Sequence, residues 1–265
     1  MRLASIASGS SGNCIYMGSD NTHILVDVGI SNKRIESGLL DLGVGACEVN
    51  GILITHEHSD HISGLGVFSR KHNVPIYATE GTIREIRKNK SLGEFDTGLF
   101  NIINADEDFV IGDIKVSPFA TSHDAASPCG YRLDCEGRSA AVVTDLGNYN
   151  QYIINHLQGL DTMVIEANHD IRMLETGPYP YYLKRRILGD YGHLSNERSG
   201  QLLCELLHDR IKGIFLGHLS KENNMAELAY ETVKLEITMG DNEYKGNDFN
   251  IEVAPRDRLS RVFEF

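Results

Sequence analysis

Short apolar runs recur along the chain, and each is followed by a polar residue able to act as a ligand or a base. Six stand out: His23-Ile24-Leu25-Val26, Gly51-Ile52-Leu53-Ile54, Ile114-Lys115-Val116, Ala140-Ala141-Val142-Val143, Thr162-Met163-Val164-Ile165 and Gly213-Ile214-Phe215-Leu216. Runs this short, bounded by turn residues, read as buried strands rather than helices. In order, the chain leaves them into Asp27, Thr55-His56, Thr121-Ser122-His123, Thr144-Asp145, Glu166 and Gly217-His218. Polar groups gathered at one end of buried strands are what a site at a sheet edge requires.

Helix-periodic segments fall between these strands. Thr82 to Lys90 and Asn196 to His208 carry the clearest pattern. In the second, Ser195 is the expected N-cap, and Leu202, Leu203, Leu206 and Leu207 recur at helical spacing. Strands interleaved with helices in two halves predict sheets packed face to face with helices outside. No repeat, low-complexity tract or linker intervenes, so residues 1–265 read as one domain.

Composition sharpens this in three ways. A chain of 265 residues that is 41% hydrophobic can bury one large core. No window approaches the roughly 18 consecutive apolar residues of a membrane helix, and Met1-Arg2-Leu3-Ala4-Ser5-Ile6 lacks the apolar centre of a signal peptide. A cytoplasmic protein without a membrane partner is expected. The five cysteines, Cys14, Cys47, Cys129, Cys135 and Cys204, are scattered and odd in number. That argues against a disulfide framework or a zinc ribbon and predicts buried free thiols. The net charge of −12 repels a polyanion overall, so nucleic-acid binding would rest on local basic patches and bound cations.

The chemistry concentrates in Thr55-His56-Glu57-His58-Ser59-Asp60-His61. At a strand end, His56 and His58 can turn toward one cation while Asp60 and His61 reach a second. Imidazole and carboxylate suit zinc, manganese or iron.

This H-x-H-x-D-H segment resembles the signature of the metallo-β-lactamase superfamily. The resemblance implies an α/β fold, an αββα sandwich of two mixed sheets packed face to face with helices on both outer faces. It also implies two divalent metal ions, zinc or manganese. Asp27, His123, Asp145 and His218 match the family's further motifs in order. One ion falls to His56, His58 and His123, the other to Asp60, His61 and His218, with Asp145 shared between them. Asp27 would orient a ligand. Such a pair of ions acidifies a water and clamps a displacement, so the expected class is hydrolysis.

Within the superfamily, Gly192-His193-Leu194-Ser195, one strand upstream of Gly217-His218, resembles RNase Z-type phosphodiesterases. There His193 would protonate the leaving alkoxide rather than bind metal; catalytic roles fall to Asp60 and His193. Three further stretches, with the opening Ala7-Ser8-Gly9-Ser10-Ser11-Gly12-Asn13-Cys14, resemble the bacterial YycJ/WalJ-like family. They are Glu166-Ala167-Asn168-His169-Asp170, Gly192 to Glu197 and Leu216 to Asn224. That family implies a metal-dependent 5′-to-3′ exonuclease on DNA rather than RNA, associated with repair. Only 22 positions separate His123 from Asp145, room for two strands, and 73 separate Asp145 from His218, too few for a large inserted domain.

Substrate-binding candidates are His169 and the Tyr179-Pro180-Tyr181-Tyr182-Leu183-Lys184-Arg185-Arg186 segment, chiefly Tyr182, Lys184, Arg185 and Arg186. Arg84, Arg87, Lys88 and Lys90 form a second basic stretch. The alternative enzyme is a small-molecule esterase, thioesterase or cyclic/nucleotide phosphodiesterase using the same dinuclear site. A non-catalytic scaffold would need a broken ligand set, and none of the family's positions is broken.

Overall fold

Period-2 alternation sorts the apolar residues into three layers, and the computed structural model, which describes residues 1–94 and 96–265, shows where each layer lies. In the first half the elements are β1 (Arg2–Ala7), β2 (Cys14–Gly18), β3 (His23–Val26), α1 (Asn32–Asp41), β4 (Val49–Leu53), α2 (Ser59–Ile62), α3 (Leu65–His72), β5 (Ile76–Thr79), α4 (Glu80–Lys88) and β6 (Phe100–Ile103). The second half comprises β7 (Phe109–Ile111), β8 (Ile114–Ala120), β9 (Cys129–Cys135), β10 (Arg138–Val143), α5 (Gln151–Leu157), β11 (Thr162–Glu166), α6 (Ile171–Thr176), α7 (Tyr181–Leu188), α8 (Asn196–Cys204), β12 (Gly213–Gly217), α9 (Ala226–Met239), β13 (Ile251–Val253) and β14 (Phe263–Glu264).

Two seven-stranded sheets result, ordered β14-β1-β2-β3-β4-β5-β6 and β13-β12-β11-β10-β9-β8-β7. Each begins with antiparallel hairpins and continues in parallel strands. The switch comes at β3 in one sheet and at β10 in the other. Along β3, Ile24 and Val26 enter the layer between the sheets, where they join Val142, Val164 and Phe215. Leu25 points the other way, into a cluster with Ile35, Leu39, Phe68 and Ile86 of the helices α1, α3 and α4. The second sheet repeats the device: Ala141 and Val143 pack outward against Ile153, Leu202 and Val233 from α5, α8 and α9. Both sheet faces are therefore covered, as parallel strands require. This is the αββα sandwich that the sequence implies.

The predicted strands appear in place, most of them extended by a residue or more. The helices shift at their ends. Thr79 caps α4, its side chain accepting from the Thr82 amide, so the helix starts before Thr82 and stops at Lys88. Ser195 caps α8 as expected, but the helix ends at Cys204. Leu206 and Leu207 stay packed in a tightened turn bonded back to the Leu203 carbonyl. Apolar spacing alone could not see that stop. The cysteines are free, and Cys14, Cys129 and Cys135 are buried. Cys47 is exposed, which corrects that part of the expectation. No described helix is long and apolar enough to cross a membrane.

Candidate metal centre

The site forms where the parallel strands of both sheets end. After β4 the chain runs extended through His56 to His58, and His58 is the N-cap of the four-residue helix α2, which carries Asp60 and His61. The segment is thus part loop and part helix, and the helical turn brings Asp60 and His61 onto one side. Glu57 turns away, accepting from the Ala126 amide at 2.7 Å. Gly29 permits the clamp: a Cβ there would lie 1.7 Å from the Asp60 carbonyl oxygen. Around it, the Asn13 amide donates to that oxygen at 2.8 Å and the Val28 amide to the His61 carbonyl at 2.9 Å.

From the second sheet come His123 after β8, Asp145 after β10 and His218 after β12. Four groups of donor atoms lie within 4.8 Å of one another: His56, His58 and His123; His56, His61 and Asp145; Asp60, His61 and His218; and Asp145, Glu166, His193 and His218. The first three groups contain the seven residues expected from sequence. Asp145 Oδ1 stands 3.5 Å from His123 Nε2, and Asp145 Oδ2 stands 3.2 Å from His61 Nε2. Its position between the two histidine sets follows from those distances.

Two buried polar atoms in this cluster make no hydrogen bond: His56 Nε2 and Asp145 Oδ2. Burying such atoms unpaired is costly, and a divalent cation satisfies both an imidazole lone pair and a carboxylate oxygen. The donor set therefore fits a divalent metal. Other ring nitrogens are held for the same purpose. His61 Nδ1 donates to Asp27 Oδ2 at 2.7 Å, and His123 Nδ1 donates to the Gly192 carbonyl at 3.0 Å. Each bond fixes a tautomer whose Nε2 lone pair faces the cluster.

Sequence reasoning named Glu166 as a strand-end residue and as the start of a family-like stretch, but gave it no role. It is fully buried and accepts four hydrogen bonds. His193 Nδ1 and His218 Nδ1 donate to its Oε1 at 2.8 and 2.9 Å, and the amides of Leu146 and Leu194 donate to its Oε2 at 2.8 and 3.1 Å. A lone carboxylate closing an otherwise apolar strand was the available signal. Thr55 was passed over likewise; its amide and hydroxyl both donate to Asp27. So was Asn13, whose Nδ2 is 3.2 Å from His61 Nε2.

Charge follows from this packing. Burial disfavours the cationic form of His56 and drives its pKa well below the usual histidine range. Burial opposes charge at His218 too, but Asp145, Asp60 and Glu166 outweigh it and push the pKa up to about 10. His61 is likewise raised by Asp145, Asp27 and Asp60 against its burial. Burial works against an ionised Glu166, yet His193 and His218 bring it down to about 2.

A cavity of about 330 Å³ opens onto the cluster, its wall including His58, Asp60, Asp145, His193, His218 and Arg186. Arg186 of α7 forms a two-pronged ion pair with Asp124, the residue after His123. Tyr179, at the head of the expected segment, also lines the wall, whereas Tyr182, Lys184, Arg185 and His169 do not. Tyr182 is exposed on the outer side of α7, and Arg185 is also exposed. Lys184 is spent on the carbonyls of Glu175 and Gly177. His169 is buried beneath the surface, its ring nitrogens unpartnered. Helical spacing explains the split: Leu183, Arg186 and Ile187 share the cavity-facing side. Arg84, Arg87 and Lys88 lie on α4 and line no part of this cavity; Arg84 and Lys88 flank Glu85.

Comparison with known proteins agrees with this architecture. Residues 22–212 match the model of a beta-lactamase superfamily domain. An exodeoxyribonuclease named WalJ from Streptococcus pneumoniae is 41% identical over 98% of this chain and 96% of its own length. One named YycJ from Bacillus anthracis is 40% identical over 88% of each. Among solved structures, the metallo-beta-lactamase fold protein YhfI from Bacillus subtilis superposes with a TM-score of 0.73 at 15% identity, covering 100% of this chain and 98% of its own. Zn(2+)-bound PqqB from Methylobacterium extorquens gives 0.75 at 14% identity, covering 100% of both chains. These structures share the fold. The chain belongs to the beta-lactamase superfamily and, within it, to the family of the WalJ and YycJ exodeoxyribonucleases.

Proposed function

We propose that this protein is a metal-dependent phosphodiesterase that degrades DNA from a 5′ end, with two divalent ions, zinc or manganese, as its cofactors. The observation that carries the reading is the convergence of seven His and Asp side chains beside an open cavity, two of them with a buried atom left without a hydrogen bond. The DNA substrate is supported by the names of the two exodeoxyribonuclease relatives.

In this reading His56, His58 and His123 would hold one ion and Asp60, His61 and His218 the other, with Asp145 available to both. When bound, the ions supply an acidified water and neutralise charge on the phosphodiester. The protein's own groups do the rest. Asp27 and Glu166 fix the rings of His61 and His218. Glu166 also holds His193 Nδ1–H, which leaves Nε2 on the cavity side; in the imidazolium form, with Glu166 as its counter-ion, the ring can give up the Nε2 proton there and remain bonded through Nδ1. A proton given there to the departing alkoxide contributes about 10²–10⁴-fold. Because both Nδ1 atoms near Glu166 are spent in hydrogen bonds, the Asp145, Glu166, His193 and His218 group is assigned to proton handling and ligand orientation rather than to a third ion. Arg186, freed from Asp124, is placed to grip a phosphate at the cavity wall.

The test is a substrate panel: 5′-phosphorylated and 5′-hydroxyl DNA and RNA, single and double stranded, in zinc or manganese, with Asp145→Asn as control. Stepwise mononucleotide release from a 5′ end of DNA is expected. Turnover of small phosphodiesters without release from any polymer would replace this reading with the small-molecule one, which the modest cavity volume also suits. His193→Ala should keep its metal, by elemental analysis, while cleavage slows. Loss of metal in that variant would make His193 a ligand.

A further inference from the structure

A second cavity, of about 370 Å³, adjoins the metal centre and plays no part in the chemistry above. Ser220 lines both cavities. Ser8, on the wall of the second, accepts from the amide of His218 at 2.8 Å, so the two spaces lie on either side of one strand end. The Gly9–Ser11 turn forms the ridge between them, with Ser10 facing the metal side and Ser11 bonded to the second cavity's Arg256.

The charge of this cavity runs against that of the chain. The protein carries 37 acidic and 25 basic residues, yet the lining includes Lys221, Arg256 and Arg258 and no carboxylate. Among the described residues none of the three forms an ion pair. Lys221 and Arg258 are exposed; Arg256 is half-buried. Its guanidinium donates to the Leu219 carbonyl at 2.7 Å and to Ser11 Oγ at 3.3 Å, both uncharged acceptors. It also lies flat against Gly9, where a Cβ would stand 2.5 Å from its Nη1. Asp257, next in the chain, acts on Arg256 without forming an ion pair with it among the described residues; a partly desolvated guanidinium held by uncharged acceptors, on a wall that also carries two more cations, is matched by an anion.

We propose that this cavity binds a phosphate of the nucleic-acid strand next to the phosphodiester being cut, and that Lys221, Arg256 and Arg258 thereby set the register of the strand over the metals. The inference rests on the phosphodiesterase reading. Phosphate is the shared chemistry of two sources, a terminal 5′-phosphate and an internal backbone phosphate.

The test uses the full-length, metal-loaded protein and two variants, Lys221→Gln/Arg258→Gln, which alters only exposed side chains, and Arg256→Gln. For each, kcat/KM is measured on a 5′-phosphorylated oligonucleotide and on bis(p-nitrophenyl) phosphate, which has no neighbouring phosphate. The ratio of the two values removes any general damage to the metal centre. We expect the ratio to fall at least fivefold in both variants. A smaller change in the double variant overturns the assignment, whatever Arg256→Gln does. Repeating the oligonucleotide arm with a 5′-hydroxyl end separates the sources. If the wild type's preference for the phosphorylated end is lost in the variants, the occupant is the terminal phosphate; if both substrates weaken equally, it is an internal one. Failure of the wild type to cut any oligonucleotide while cleaving the small diester would instead refute the nuclease reading itself.

Discussion

Asp27 and Asp145 occupy matching places in the two sheets. Each follows the strand at which antiparallel pairing gives way to parallel pairing, β3 in one and β10 in the other, and each has a left-handed backbone, with φ of 60° and 56°. Their surroundings differ. Asp27 accepts from the Thr55 amide, the Thr55 hydroxyl and His61, so both carboxylate oxygens are used. Asp145 leaves Oδ2 without a hydrogen bond although it faces His61 at 3.2 Å. One geometry thus serves two ends. The satisfied carboxylate aims a ligand, and the unsatisfied one is itself free to be a ligand.

The comparison predicts a ranking. Asp145→Asn should be the most damaging change: losing a carboxylate shared by two ions removes several kcal/mol of charge stabilisation, about 10³-fold in kcat, with metal content falling in elemental analysis. Wild-type metal content in that variant would reduce Asp145 to a bystander. Glu166→Gln should cost about 10²-fold in kcat/KM, because it disturbs both a ligand and the proton donor. Asp27→Asn disturbs one imidazole only, so metal affinity should weaken roughly 10–100-fold, read by competition with a chelator. A larger loss of turnover at Asp27 than at Glu166 would reverse the roles argued here.

Gly29→Ala tests the backbone rather than the charges. Forcing a Cβ against the Asp60 carbonyl should destabilise the protein by about 1–3 kcal/mol, measured by urea unfolding. A further test varies pH rather than sequence. In chelator-treated protein His218 has its pKa raised to about 10, and His61 is raised as well. A folded-state pKa above the unfolded value of about 6.5 stabilises fully below that value and is lost as pH rises toward the folded one. The melting temperature of the stripped protein should therefore decline between about pH 6.5 and pH 10. A flat profile would mean that these two rings are not held in the charged form.

Much of this was legible because the first half of the site is contiguous. His56 to His61 sits in six consecutive positions, and spacing alone suggested ions. The second half is distributed, one residue per strand end, so Asp145 and His218 were assigned only through the family's motif order. Glu166 escaped because strand-end carboxylates look alike in sequence, and their role depends on which rings pack above them. The substrate residues were the least readable. Tyr182, Lys184, Arg185 and Arg186 are neighbours in sequence, but a helix scatters neighbours around its axis, and of the four only Arg186 reaches the cavity wall.

Positive φ at Asp27, Asp145 and His218 has an evolutionary reading. Residues with a Cβ pay roughly 1–2 kcal/mol for that conformation, a cost glycine avoids. Once the buried partners of these side chains, Thr55, His61 and Glu166 among them, had changed as well, a descendant released from catalysis could relieve that strain with glycine at these three positions. Their simultaneous replacement would mark a relative that kept the sandwich and gave up the reaction.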